Sequence, residues 1–509
     1  MQLGKIYTAQ ANVAGATIIE IEVDIANKGI PSFTIVGMAD KSIDESRERI
    51  GAALKNCGLG KPKQKKIIVS LSPANLKKEG PAFDLPIALS ILLADEEINL
   101  SCDVRDSLFV GELSLDGSLK SINGSLSIAY AAQKNGYTKL FVPKENAQEA
   151  SLLNGLSVYG VNNIVELVEH LLHSQQEDSD ESKLLSPTVH TLQKEERNYS
   201  VDFSHVIEQT AVKRALTIAA AGRHNIGMYG PPGTGKTMLA QAFCSILPTL
   251  SRSEQIETTM IYSYAGILSK SVVTEPPLRS PHHTSSYVAV IGGGAHPKPG
   301  EVTFAHNGVL FLDEFPEFDK RVLESLREPL ESNKVHIARA KGSVTFPADF
   351  ILVAALNPPS EVYRSGVLIT PADERRFKKK LSGPIMDRID MWIEVPKIDH
   401  ALLLNTTNKE EPSSVIKKRV IKARTLQHVR LGDGKTNSSL GPQNISTHAH
   451  ITDTAKELLD SACEKLQVSP RVYHKLIKLA RTIADLESSI EIQNSHILEA
   501  LQYRPKDIL

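Results

Sequence analysis

Apolar and polar residues alternate along Ala16–Ile25 (ATIIEIEVDI), the period of a half-buried strand. Lys66–Leu71 (KIIVSL) is a β-branched run closed by Pro73, Ala82–Leu93 predicts a helix, and Lys139–Val142 predicts a short strand. Residues 1–172 therefore read as a mixed α+β unit. The texture then changes. Residues 173–200 are polar, carry the acidic cluster Glu177, Asp178, Asp180 and Glu181, include Pro187, and read as a linker. Across 201–396 apolar runs alternate with helical stretches, as in a parallel sheet with crossover helices. Beyond Pro396 the pattern turns helical: Leu458, Leu459 and Leu466 in Ala455–Leu466, and Leu476, Ile477, Ala480 and Ile483 in Arg471–Leu486, recur at three-to-four spacing. Residues 432–448 (GDGKTNSSLGPQNISTH) read as a loop, and 397–509 as one helical region. No internal repeat is visible.

Length agrees with this division, since 509 residues at roughly 150 per domain suggest about three domains. Lys and Arg number 58 against 59 Asp and Glu, a net charge of −1, so a globally basic nucleic-acid binder is not indicated. Local basic patches remain open, because a sum hides segregation. Aromatic residues make up 5%, which argues against a carbohydrate-stacking protein. The four cysteines, Cys57, Cys102, Cys244 and Cys463, are far apart and form no CxxC pair, so a disulfide framework or cysteine-based zinc knuckle is not expected. The start, MQLGKIYTAQANVAG, lacks a secretory pattern. No apolar run approaches the roughly 18 residues that span a bilayer. The expectation is a cytoplasmic protein without a membrane partner.

The sharpest chemistry lies at Gly230-Pro231-Pro232-Gly233-Thr234-Gly235-Lys236-Thr237, which fits GxxxxGK[ST] in full between a short apolar run and a helical stretch. Glycines let backbone N–H groups turn inward around a phosphate, and the helix N-terminus adds partial positive charge. Lys236 would reach the β- and γ-phosphates of ATP, and the Thr237 hydroxyl would sit on Mg²⁺. The run Gly308–Glu314 (GVLFLDE) would deliver two acids at the end of a buried strand, Asp313 to hold the Mg²⁺ through water and Glu314 to polarise the attacking water. A third run, Phe350–Leu356, ends at Asn357, which alone reads first as a turn residue before Pro358. Its place one strand after the acidic pair favours a role in orienting the water.

In this order the three elements look like the Walker A, Walker B and sensor-1 positions of an AAA+ ATPase. The segments PHHTSS (281–286), IGGGAHPKPGE (291–301), AHNGVLFLDE (305–314), LREPLE (326–331) and LSGPIMDRID (381–390) resemble the magnesium-chelatase-like subfamily, and within it the ComM/YifB proteins. The resemblance implies an AAA+ core with a helical lid, in which Arg388 matches the arginine finger that completes a neighbouring subunit's site and Arg471 matches the sensor-2 arginine of the lid. On residues alone, Arg388 reads equally well as one half of an Arg–Asp pair and Arg471 as a helix surface charge. A finger acting in trans implies a homo-oligomer, a hexameric ring above all.

The resemblance also implies two insertions, one around 257–305 and one at Asn333–Asp349 (NKVHIARAKGSVTFPAD), the second a hairpin with Arg339 and Lys341 near its tip. In related ring helicases such hairpins hold nucleic-acid phosphates; a solvated hairpin with ordinary edge charges is the plain alternative. Further basic clusters fall at Lys61–Lys66, Arg375–Lys380 and Lys417–Arg424, each readable as a solvated face or as a sequence-independent grip on a backbone. Many relatives carry cysteines after the sensor-1 Asn-Pro. This chain has none there, which rules out a zinc site at that position.

Residues 1–172 resemble the Lon proteolytic domain and the ribosomal-S5-like fold, through Gly80–Ala88 and Gly111–Asn146. A Ser–Lys dyad needs a hydroxyl nucleophile and a free amine. The matching positions are Ala82 and Leu126, with Ser125 and Lys120 nearby but off register, so the domain reads as catalytically dead. The resemblance implies a DNA motor, with helicase or branch-migration activity, that promotes integration of DNA by homologous recombination in natural transformation. Single- and double-stranded DNA and recombination proteins would be its partners. A chelatase-like protein remodeller and a Lon-like protease are the alternatives.

Overall fold

The structure is a computed structural model and describes residues 3–13, 15–26, 30–60, 65–95, 103–173, 184–189, 201–268, 272–294, 297–339, 342–357, 383–398 and 410–504. The chain forms two compact units. One holds residues 1–195 together with Gln255–Val273, and the other holds 196–254 and 274–509.

The first unit is built on a seven-stranded mixed sheet. Its order is Ser32–Val36, Lys66–Ser72, Gly15–Ala26, Gly4–Asn12, Ser107–Phe109, Lys139–Pro143 and Ser157–Val161. The long antiparallel pair Gly4–Asn12 and Gly15–Ala26 sets its centre. The alternation seen in Ala16–Ile25 is explained there: Ile19, Ile21 and Val23 are fully buried while the residues between them are not. The predicted helix Ala82–Leu93 is formed by a short 3-10 turn over Pro81–Phe83 that runs into an α-helix over Asp84–Ala94. Buried Asp84 accepts from the Arg49 guanidinium at 2.7 and 3.1 Å, so this helix is tied to the helix Lys41–Asn56.

The second unit has a five-stranded sheet with every pair parallel, in the order Leu278–Arg279, Val309–Leu312, Ile351–Leu356, Ile226–Tyr229, Met391–Glu394. The alternation over 201–396 therefore does denote a mixed α/β unit with a parallel sheet. Its three middle strands are buried along their whole length, which is why they read as apolar runs without alternation. The strand earliest in sequence lies between the two latest ones, so the chain reverses its direction of growth beside Ile226–Tyr229. Ligand crevices of open α/β sheets lie at such a reversal, outside the carboxyl ends of the strands.

Among the described residues five helices follow, Ser413–Leu431, Pro442–His448, Asp453–Lys465, Pro470–Leu486 and Asn494–Gln502. Their apolar faces share one core with the helix Thr210–Gly222 and the sheet. The segment 432–448, read as a loop, contains the helix Pro442–His448 and a 3-10 turn at Asn437–Ser439. Two of its polar residues, Thr436 and Asn437, are buried, and Asn437 donates to Asp485 at 2.8 Å and to Thr482 at 3.0 Å. Cys57 and Cys463 are free thiols. Among the described residues no helix is long and apolar enough to cross a membrane.

Asp390 makes acid sensitivity testable. Burial alone would raise its pKa, but the His224 ring, Lys475 and the Asn225 N–H together hold it at about 2. Because the folded value lies below the unfolded one of 3.8, its contribution is complete above about pH 4 and is lost as pH falls towards 2. A depression of this size corresponds to about 2 kcal/mol. Asp390→Asn is expected to flatten the loss of stability between about pH 4 and 2, read from urea midpoints at successive pH values.

Candidate nucleotide-binding site

Between the strand Ile226–Tyr229 and the helix Lys236–Ser245, the chain turns through Gly230–Gly235. Gly233 and Gly235 have φ of +77° and +85°, conformations that only glycine adopts without strain. Gly230 answers a different demand, since a β-carbon there would lie 2.3 Å from the Val395 carbonyl oxygen. The loop is thus set by local sequence and by the neighbouring strand together. No side chain caps the helix that starts at Lys236, which leaves its first N–H groups facing the loop.

Lys236 is 7% exposed and donates to the Gly230 and Pro231 carbonyls at 3.0 and 2.8 Å. Burial pushes its ammonium below the ordinary lysine range, and the Asp313 carboxylate pulls it back up. Thr237 Oγ1 donates to Asp313 Oδ2 at 2.8 Å. A hydroxyl and a carboxylate in contact are hard oxygen donors, so the residues fit Mg²⁺, and these two would hold it. Asn357 emerges from the strand Ile351–Leu356, which pairs with both the phosphate-loop strand and the strand before Asp313. Its Oδ1 is buried with no hydrogen-bond partner among the described residues. Lys236, Thr237, Asp313, Glu314 and Asn357 all sit at the carboxyl ends of adjacent parallel strands.

Glu314 is less free than its sequence position suggests. Its φ is +50°, its N–H donates to Asp313 Oδ1 at 2.9 Å, and its Oε2 lies 3.0 Å from His283 Nδ1. His283 escaped the sequence reading, although it lies inside PHHTSS. Nothing in the spacing of 283 and 314 signals a contact.

A second missed group lines a cavity of about 440 Å³ beside the loop: His205, Val206, Ile207, Gln209, Met238 and Leu239 join Pro232–Gly235 there. Gln209 is 7% exposed and donates through Nε2 to the Thr234 carbonyl at 3.2 Å. Two residues in a row, Glu208 and Gln209, have positive φ, +56° and +49°, which marks this segment as a backbone held under strain beside the loop. The signal available in sequence was a short polar break before Thr210–Gly222.

Arg388 and Arg471 converge. Arg388 pairs with Glu331, and Arg471 reaches the same Glu331 oxygen at 3.2 Å. Burial lowers the Arg388 pKa, Glu331 raises it, and Arg471 and Arg327 lower it further. The three residues line a cavity of about 450 Å³ with Lys475, Lys478 and His474. The Arg388–Glu331 pair spans 57 residues of sequence.

The hairpin at 333–349 is present, with Lys334–Arg339 antiparallel to Gly342–Pro347 and Arg339 opposite Gly342 in the last pair before the turn. Gly342 stands in the strand, not the turn. Lys341 lies outside the described residues, as do Lys61, Lys63 and Arg375–Lys380. Within the cluster Lys417–Arg424, Lys418 and Lys422 are exposed while the other three cations meet protein partners. Lys417 pairs with Glu275 at 3.8 Å, Arg419 pairs with Glu411, and Arg424 donates to the Ala220 carbonyl at 2.7 and 3.1 Å, where it closes the end of a helix.

The family models that match are those of magnesium chelatase, an AAA+ class. Magnesium chelatase subunit ChlI matches residues 202–403, the ChlI subunit model matches 21–146, and the ChlI C-terminal model matches 410–504. The chain is 40% identical to competence protein ComM of Haemophilus influenzae over 512 residues, covering 99% of this chain and 98% of that one. It is 39% identical to YifB of Escherichia coli over 512 residues, covering 100% and 98%. DNA replication licensing factor Mcm6 of Drosophila melanogaster is more distant, 25% identical over 317 residues, which are 60% of this chain and 35% of that one. The chain belongs to the ComM/YifB family of magnesium-chelatase-like AAA+ ATPases.

Proposed function

We propose that the chain is an ATP-driven DNA motor, a hexameric ring that migrates branch points and so promotes integration of DNA by homologous recombination during natural transformation. The observation that carries the ATPase part is the 2.8 Å contact of Thr237 with Asp313 beside the phosphate loop. The DNA part is supported by the identity to a competence protein, by the distant likeness to a DNA replication licensing factor, and by the hairpin that carries Arg339.

Gly230–Gly235 and the N-terminus of the following helix bind the phosphates, with Lys236 turned from the loop carbonyls to the β- and γ-oxygens. Thr237 and Asp313 would hold Mg²⁺, which when bound would supply charge neutralisation on the phosphate oxygens. Glu314 takes a proton from water as its oxygen bonds to the γ-phosphorus and the bond to ADP breaks. Asn357 orients that water through its unpartnered oxygen. Val206, Ile207, Met238 and Leu239 cover the base.

Arg388 and Arg471 act together in trans on the next subunit's γ-phosphate. Their common anchor on Glu331 supports this, because it puts the finger and the lid arginine on one face. In this reading 397–509 is the lid and 201–396 the ATPase core. Residues 1–172 form a Lon-like, catalytically dead domain joined by the linker 173–200. Ala82 packs against the same apolar cluster that contains fully buried Leu126, which supports the absence of a dyad. Arg339 and Lys341 touch DNA phosphates.

The test is three-strand exchange by the purified hexamer. Native protein with ATP is expected to move the branch point, and Lys236→Ala is not. Equal movement by both, or none by either, sinks the motor. ATP turnover that ignores DNA but rises with a protein partner would favour a chelatase-like remodeller.

A further inference from the structure

Glu410 stands three residues before the helix Ser413–Leu431, and its two carboxylate oxygens take different partners. Oε1 accepts from the Glu208 N–H at 2.7 Å, and Oε2 accepts from the Lys213 ammonium at 2.6 Å. The partners lie 202 and 197 positions earlier in the chain, on either side of the turn that opens the helix Thr210–Gly222. Burial would raise the Glu410 pKa, but the Lys213 ammonium and the Glu208 N–H hold it below the ordinary glutamate value.

The turn needs such a hold. Glu208 and Gln209 both stand in the left-handed region that favours glycine, with φ of +56° and +49°. Glu410 fixes the N–H on the near side of the turn. The Lys213 N–H fixes the far side by donating to the Gln209 carbonyl at 2.9 Å. With the turn held, the Gln209 side chain reaches back to donate to the Thr234 carbonyl at 3.2 Å, and the Thr234 hydroxyl donates to the Pro231 carbonyl at 3.0 Å. The Glu410 carboxylate is therefore linked to the phosphate loop through Glu208 and Gln209.

The start of the helix Ser413–Leu431 grips the same segment from its other end. Asp202 accepts from the Ser413 N–H at 3.2 and 3.3 Å. The Ser413 hydroxyl oxygen accepts from the Phe203 N–H at 2.8 Å and from the Ser245 hydroxyl at 2.6 Å. Ser245 closes the helix that begins at Lys236. Residues 202–213 give His205, Val206, Ile207 and Gln209 to the cavity of about 440 Å³, and one short stretch, 410–413, holds both ends of that wall.

We infer that Glu410 is a positioning residue for the nucleotide: it clasps the turn Glu208–Lys213 and so keeps the cavity wall in the shape that takes the base. This rests on the reading of that cavity as the base site. Glu410 acts through Glu208 and Gln209, not by contact with the ligand.

The experiment uses the full-length protein as native, Glu410→Ala, Glu410→Gln and the double variant Glu410→Ala with Glu208→Gly; Lys236→Ala is the blank. Steady-state turnover gives KM and kcat for ATP. Displacement of a fluorescent ATP analogue compares ATP with inorganic tripolyphosphate, which has no base. Glu410→Ala is expected to raise KM for ATP about tenfold while kcat and the affinity for tripolyphosphate stay within about twofold. Glu410→Gln keeps an acceptor for the Glu208 N–H and is expected to raise KM no more than about threefold. Glu208→Gly removes the strain of the left-handed turn, so the double variant is expected to recover at least half of the lost affinity. An unchanged KM in Glu410→Ala would overturn the inference. So would a fall in kcat at constant KM, or a double variant no better than Glu410→Ala. The thermal midpoint checks folding, and if Glu410→Ala does not fold, the double variant set against Glu208→Gly alone carries the same comparison. Native protein that binds tripolyphosphate as tightly as ATP would sink the reading of the cavity as the base site. A native preference for ATP that Glu410→Ala leaves intact would overturn the inference alone.

Discussion

Glu314→Gln is expected to bind ATP as the native protein does and to turn it over about 10³-fold more slowly, the usual effect of losing a general base. The substitution keeps size and hydrogen bonding but removes the group that accepts the proton. The phosphate loop, Lys236 and the Thr237–Asp313 contact stay in place, so binding survives. The expected result is a stable ATP complex, seen as unchanged affinity for a fluorescent analogue with turnover near the blank. Weakened affinity in step with turnover would instead place Glu314 among the binding residues. The same variant separates Glu314 from Asp313, whose loss is expected to remove metal-dependent affinity as well.

Arg388→Ala should likewise retain ATP and lose about 10³-fold in turnover, the scale set by arginine fingers in phosphoryl transfer. The informative measurement is mixing. In a ring assembled from equal amounts of Arg388→Ala and Lys236→Ala subunits, about one interface in four joins an intact phosphate loop to an intact arginine. If Arg388 works in trans, those interfaces fire, and about a quarter of native turnover returns. If it works in cis, no subunit is whole and mixing restores nothing. Arg471→Ala is expected to follow Arg388→Ala in the mixing test, because both guanidinium groups are anchored on Glu331.

Much of this was legible in sequence for a local reason. A phosphate loop is a backbone conformation, and Gly233 and Gly235 stand where φ is positive. A buried parallel strand is a continuous apolar run, so Val309–Leu312 announced where Asp313 and Glu314 would emerge. Helical period in Arg471–Leu486 marked the residues that join the core. The fate of individual charges was not legible. Lys417, Arg419 and Arg424 resemble a nucleic-acid grip when written in a line, yet folding spends them on Glu275, Glu411 and a helix end. Charge runs carry no record of which partner a distant segment will bring.

The chain by itself determined that this is an ATPase-family protein with a phosphate loop and an acidic strand end, since each depends on neighbours a few residues away. Only the tertiary structure decided that His283 meets Glu314 across 31 positions of sequence, that Gln209 lines the cavity beside the loop, and that Arg388 and Arg471 share one carboxylate. Those contacts are set by strand order and helix packing. These are collective outcomes of burying a whole core, and no short window of sequence contains them.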